Sequence, residues 1–203
     1  TKVTYSMIQD SPINFLDFGA DGTSNSSFDN TPILDAAIAV AVASKARAIY
    51  IPSGTYYFNT LPANITSSVK IYGDDVSSTI LLRNFTATNN YDGLLNVRDG
   101  AGACIFENLS LVDTNTASGG CLLSFVKLNA DNTLAGDFSR VVNCNLTTYG
   151  TNTHYASLYI DGEKKTPLLG IRDVVISGCS IFGGTYASIY CKTCLLYTSD
   201  AAD

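Results

Sequence analysis

Apolar and polar positions change rhythm once along this chain. Between Thr31 and Val42 the apolar residues include Ile33, Leu34, Ala36, Ala37, Ile38, Val40, Ala41 and Val42. Such density predicts a helix buried on nearly all its faces. Thr31 is placed to cap it, with Pro32 at the first helical position. Asp35 falls near its positive end, and Lys45 and Arg47 near its negative end. Beyond the helix come only short β-rich runs, at 48–51, 69–72, 79–82 and 93–97, parted by Gly, Asn, Asp and Ser.

Three later runs resemble one another, at 105–111, 140–146 and 175–181. Asn108, Asn143 and Gly178 correspond at a spacing of 35 residues, and so do Leu111, Leu146 and Ile181. A second strand-like run follows each, at 121–128, 155–160 and 187–190. A fixed period of this size predicts stacked repeats, since one repeat is too short to bury its own apolar face. Cys144 and Cys179 then share an inward position on adjacent coils, and Asn108 and Asn143 stack in a turn where their amides bond along the ladder. A β-sandwich with coincidental spacing is the alternative. In a solenoid, the helix plugs the N-terminal end and covers strand edges that would otherwise stand unpaired.

The stretch from Asn14 to Tyr57 carries a family signature. It joins an extended Asp17-Phe18-Gly19-Ala20 entry, a polar turn, the Asp29-Asn30-Thr31 helix entry and the Ile51-Pro52-Ser53-Gly54-Thr55-Tyr56 element. This resembles the opening of the pectate-lyase-3-like family, which includes bacteriophage tailspikes and depolymerases. The resemblance implies an all-β fold: a single-stranded right-handed parallel β-helix with an N-terminal capping α-helix. It also implies binding, and in enzymatic members cleavage, of bacterial surface polysaccharide. The turn after Ala20 is shorter than in those members. Residues 3–20 are similar to the junction between a particle-binding head and the β-helix of phage tail proteins. The expected organisation is thus a linker at 1–15 from a missing head, a truncated β-helix at 16–193, and a non-native tail at 194–203 that looks like translated sequencing adaptor. The resemblance further implies a homotrimer on a virion tail, joined to a head-binding or baseplate protein. A secreted pectate-lyase-like enzyme and a non-catalytic structural or receptor-binding β-helix are the alternatives.

Composition narrows the chemistry. The 203 residues suit one domain. A net charge of −6 lacks the basic footprint of a nucleic-acid binder, and no apolar run is long enough for membrane insertion. Six cysteines allow a disulfide framework on count alone, but buried thiols packing as small hydrophobes fit a chain of this kind better. Cofactor motifs are absent and no metal site is expected; Asp74-Asp75 reads as a turn rather than a Ca²⁺ site.

Glycan cleavage by a hydrolase takes two carboxylates flanking the scissile bond. Asp161 and Glu163, two apart on a strand, share a face, and His154, the single histidine, stands close by in sequence. These three are the candidate catalytic residues, although the 161–165 segment also reads as an exposed turn. Twelve tyrosines stand beside no tryptophan. Tyr155, Tyr159, Tyr149 and Tyr186 are the candidate glycan-binding residues, with Tyr56 and Tyr57 as further members of a platform; equally, aromatics simply suit strands.

Overall fold

The computed structural model describes residues 11–114, 117–128, 135–149, 154–162, 171 and 173–192. Their backbone winds into five coils of three strands, stacked in parallel. The first coil holds β2 (Ala48–Ile51), β3 (Gly54–Phe58) and β4 (Asn64–Ile65); the second β5 (Lys70–Gly73), β6 (Thr79–Arg83) and β7 (Leu95–Val97). The third holds β8 (Ile105–Glu107), β9 (Ser110–Asp113) and β10 (Leu123–Val126); the fourth β11 (Arg140–Val142), β12 (Asn145–Thr147) and β13 (Ala156–Asp161). The fifth holds β14 (Val175–Ser177), β15 (Ser180–Phe182) and β16 (Ala187–Lys192). Below them β1 (Ile13–Asn14) adds a sixth strand to the first sheet. The fold is the expected right-handed parallel β-helix of the pectin-lyase type, not a sandwich.

Register explains the period. Alternate residues of each strand point inward, so equivalent positions pile into columns through the core. In the first sheet the column is Ile13, Ile49, Ile71, Phe106, Val141 and Ile176. In the second it is Tyr56, Leu81, Leu111, Leu146 and Ile181. In the third, Ile65, Val97, Phe125, Ile160 and Cys191 align beside Leu95, Leu123, Leu158 and Ile189. A 35-residue offset joins the third coil to the fourth in all three sheets. It joins the fourth to the fifth in the first two; in the third sheet the offset falls to 31, as Leu158 pairs with Ile189.

The corner between first and second sheets fixes that register. Asn108, Asn143 and Gly178 all take the left-handed conformation, with φ of 57°, 49° and 64°, which Asn and Gly tolerate best. The bonding along this stack runs through the backbone: Asn108 N–H donates to Val142 O at 3.1 Å and Asn143 N–H to Ser177 O at 2.9 Å. The Asn143 side chain lies where a Cβ on Gly178 would meet its Oδ1 at 2.4 Å. Cys144 and Cys179 stack as expected, Cys144 N–H pointing at Cys179 Sγ at 3.4 Å.

At the N-terminal end the expectations need correcting. The helix, α1 (Thr31–Ala43), has Asn30 at its N-cap position rather than Thr31. Asn30 spends its side chain on tying Asp21 to Tyr57, and Asp29 accepts the Thr31 N–H instead. The helix buries only the stripe Thr31, Leu34, Ala37 and Ala41, while Pro32, Ala36, Ala39 and Ala43 are exposed. Its alanine content makes it apolar all round without burying it all round. Ser44 ends it, so Lys45 and Arg47 lie past its last turn, and Asp35 sits beyond its first. It packs on β2 and on the 3₁₀ turn Phe15–Phe18, closing the coil end. Ile13 and Phe15 are core residues, so the folded unit starts ahead of the expected boundary at 16.

Two glycines separate backbone strain from crowding. Gly19 (φ +92°) has open space around an added Cβ, whereas at Gly120 (φ +64°) a Cβ would lie 2.1 Å from Asp92 O. Gly19→Ala is expected to lower the unfolding free energy by about 1–2 kcal/mol. Gly120→Ala is expected to add about 1–3 kcal/mol of overpacking to that. Urea denaturation of both variants tests the difference, and equal losses would contradict the close approach at Gly120.

Candidate functional site: a tyrosine face over a buried charge cluster

The third sheet carries its tyrosines on the outside. Along the outward column Asn96, Ser124, Tyr159 and Tyr190, side chains grow from polar to aromatic toward the C-terminal coils. Tyr155 and Tyr186 precede β13 and β16 and join this column. Tyr155 stacks on Tyr186 (4.8 Å between centroids, 11° between planes) and Tyr159 on Tyr190 (4.8 Å, 29°). Tyr155 meets Tyr190 edge-on at 5.0 Å, and Tyr91, from the loop before β7, reaches Tyr159 at 6.2 Å. Tilted and offset contacts of this kind add about 0.5–1.5 kcal/mol each beyond area burial. The cluster is graded in exposure: Tyr159 is buried, Tyr155 and Tyr190 are half-buried, and Tyr186 is 69% exposed.

Polar groups border the rings. Tyr159 Oη donates to Asp161 Oδ2 at 3.3 Å. Burial, with the Asp161 carboxylate beside it, holds the Tyr159 phenol protonated, above its ordinary range. Asp161 pairs in register with Lys192. At the lower end Arg98 lies 5.1 Å from the Tyr91 ring centroid and donates to Ser124 Oγ at 2.7 Å. A surface of this kind presents phenol edges, hydroxyls, one carboxylate and, at Tyr186, an open ring face.

Beneath it lies a charge cluster that breaks the apolar pattern. Arg83 and Asp113 are register partners in the inward column that begins at Phe58. Their Nε–Oδ1 distance is 2.5 Å and both side chains have no solvent exposure. Arg83 Nη2 donates to Gly119 O and to His154 Nδ1, each at 2.7 Å. Asp113 Oδ2 is 3.2 Å from the same Nδ1. A guanidinium only donates, so toward Arg83 Nδ1 accepts, while it also lies 3.2 Å from two acceptors, Asp113 Oδ2 and Gly119 O. In that tautomer the proton of neutral His154 sits on Nε2, which is buried without a partner among the described residues. Burial lowers the His154 pKa in the same sense. It also pushes the Asp113 carboxyl up, against the pull of Arg83.

The sequence-predicted residues therefore divide. Tyr155, Tyr159 and Tyr186 are brought together with Asp161 at their edge. Tyr190 and Tyr91 belong to the same face and were not foreseen. The signal for Tyr190 was in the spacing, because Tyr155 to Tyr186 and Tyr159 to Tyr190 are both 31 residues, the offset of β13 to β16; Tyr91, in a loop, left none. Tyr149 stands apart, 51% exposed beyond β12. Tyr56 is a core residue, fully buried, donating to Pro52 O; Tyr57 is half-buried on β3. His154 is 1% exposed and turned into the coil, so its ring has no open face for a base or a sugar contact. Asp113, which no sequence pattern singled out, is the interior partner of Arg83. Glu163 lies outside the described residues.

Asp74 and Asp75 are structural turns: Asp74 accepts from Tyr50 Oη and from Ser53 N and Oγ, Asp75 from Ser77. Among the described residues no group of three or more His, Cys, Asp or Glu gathers as a metal site, and no helix is long and apolar enough to cross a membrane. Cys104, Cys121, Cys144 and Cys179 are free, whereas Cys191 is disulfide-bonded, contrary to the expectation of reduced thiols. Burial pushes the Cys104 thiol up to about 11 and the Cys121 and Cys144 thiols to about 12, so they pack as neutral hydrophobes.

Removing one member of the buried pair is the informative change. Asp113→Ala strands Arg83 as an uncompensated interior cation and is expected to cost about 3–5 kcal/mol in chemical denaturation. The double variant Arg83→Met/Asp113→Leu is expected to recover most of that loss. Equal stability of wild type and Asp113→Ala would contradict the pairing.

Comparison with known proteins places this geometry in context. No curated protein matches the chain. Among solved structures it is similar to the catalytic unit of a thermostable GH87 α-1,3-glucanase from Streptomyces thermodiastaticus strain HF3-3, at a TM-score of 0.51 and 16% identity. That likeness is one of fold. It covers 83% of this chain but 30% of the glucanase unit, so the chain spans under a third of that structure's length. The family model described as rhamnogalacturonase A/epimerase, pectate lyase-like, matches residues 12–185. With stacked parallel coils, inward columns and this match over most of its length, the chain belongs to the rhamnogalacturonase A/epimerase, pectate lyase-like family.

Proposed function

We propose that the chain binds polysaccharide along the outer face of its third sheet. The observation that carries this reading is the group of five tyrosines on that one face, with ring centroids 4.8–6.2 Å from their neighbours and Tyr186 69% exposed at its end. Sugars offer an apolar ring face bordered by hydroxyls. An open tyrosine face beside phenol hydroxyls and a carboxylate matches both features. A family model and a structural neighbour whose names denote enzymes of polysaccharides support the substrate class.

Bacterial surface polysaccharide is the ligand we favour, and a homotrimer on a phage tail the setting, with the tail-junction resemblance of residues 3–20 in support. Cleavage is the finer part of the proposal. In this reading Asp161, which accepts from Tyr159 Oη, is one carboxylate acting on a bound glycan, and Glu163 is the second that a hydrolase needs.

Binding to a panel of capsular and O-antigen polysaccharides, by affinity electrophoresis, tests the reading. Tyr186→Ala is expected to weaken binding by about 0.5–1.5 kcal/mol, roughly 2- to 12-fold. Tyr50→Ala, on the first sheet, is expected to leave binding unchanged. Asp161→Asn is expected to abolish cleavage while keeping binding. Equal affinities for wild type and Tyr186→Ala would sink the assignment of this face.

A further inference from the structure

His154 links the interior charge cluster to the tyrosine face through the backbone. Its carbonyl accepts the Thr185 N–H at 2.6 Å. The next residue, Tyr155, donates its N–H to Gly120 O at 2.9 Å and accepts the Tyr186 N–H at 3.2 Å. The same two residues, Tyr155 and Tyr186, form the parallel stack at the exposed end of the face. Whatever moves His154 therefore moves the strand entry that sets this stack.

At Nδ1 the ring of His154 meets one donor, Arg83 Nη2 at 2.7 Å, and two acceptors, Asp113 Oδ2 and Gly119 O, each at 3.2 Å. Arg83 from β6 and Asp113 from β9 are the charged groups against it, with the Gly119 carbonyl from the turn before β10. Beyond Arg83 lies the Cys121 thiol, which burial keeps protonated. Arg83 and Asp113 cancel one another, so with neutral His154 the cluster carries no net charge. One proton taken from solvent would turn Nδ1 from acceptor to donor, facing the Arg83 N–H at 2.7 Å. It would also leave one positive charge uncompensated in a site where all three residues are 0–1% exposed.

We propose that protonation of His154 breaks its bond to Arg83 and loosens the Tyr155–Tyr186 stack, switching the tyrosine face off in mild acid. That consequence rests on the polysaccharide-binding reading of the face. The sign is consistent with the burial-lowered pKa of His154. A histidine whose folded pKa is depressed stabilises the fold fully above its unfolded value. That contribution is lost as pH falls below the unfolded value.

The chain holds a single histidine, so its ring protons are identified without assignment. Proton NMR of the protein between about pH 8 and about pH 5 reads both partners. The His154 midpoint is expected below the ordinary 6.5, and the Tyr155 and Tyr186 ring resonances are expected to shift with that same midpoint. A His154 midpoint at or above 6.5, or tyrosine resonances indifferent to it, overturns the switch. In His154→Gln the pH dependence of the tyrosine resonances is expected to vanish; should that variant not fold, the wild-type titration decides alone. No sugar enters this measurement, so the switch and the polysaccharide reading fail separately.

Discussion

Everything in this molecule depends on the coil-to-coil hydrogen bonding of parallel strands held in one register. A coil of about three short strands cannot cover its own apolar residues, and only neighbours stacked above and below complete the core. The left-handed corner at Asn108, Asn143 and Gly178 keeps successive coils in step. A slip of one residue would turn Leu111, Leu146 and Ile181 outward and bring the polar alternates into the core.

The tyrosine face follows from that register rather than from any local motif. Tyr159 and Tyr190 share an outward column because β13 pairs with β16, and Tyr155 and Tyr186 fall into line at the same offset. The interior charge cluster follows from it as well. Arg83 and Asp113 occupy inward positions on paired strands, so their charges meet inside the coil, where neither is stable without the other. The outer face and the inner cluster then meet at one residue pair, His154 and Tyr155. Backbone hydrogen bonds at this pair thereby join the tyrosine face to the charged interior.

Much of the architecture was legible in the sequence because repetition leaves a linear trace. The equivalence of Asn108, Asn143 and Gly178, the paired strands and the capping helix could all be read from spacing. Cap details were not. Asn30 serves tertiary bonds to Asp21 and Tyr57 that no local pattern encodes, and α1 is apolar all round through alanine while burying a single stripe. The buried pair was hidden for a similar reason. Arg83 and Asp113 are 30 residues apart, and their meeting shows only when the inward alternation of β6 is laid against that of β9. The burial of His154 left no linear sign, because the residues before it read as loop, yet it packs inside the coil against Arg83, Asp113 and the Gly119 carbonyl. Tyr190 was passed over because the third sheet shortens its offset to 31 between the last two coils.

The central claim is that recognition happens on the outer face of the third sheet. Its most direct test is chemical-shift mapping of the tyrosine rings while an oligosaccharide of a bacterial capsule is titrated into the protein. The account expects perturbations confined to Tyr155, Tyr159, Tyr186 and Tyr190, strongest at Tyr186. Perturbations centred on Tyr50 and Tyr72 of the first sheet, with the third sheet silent, would contradict it.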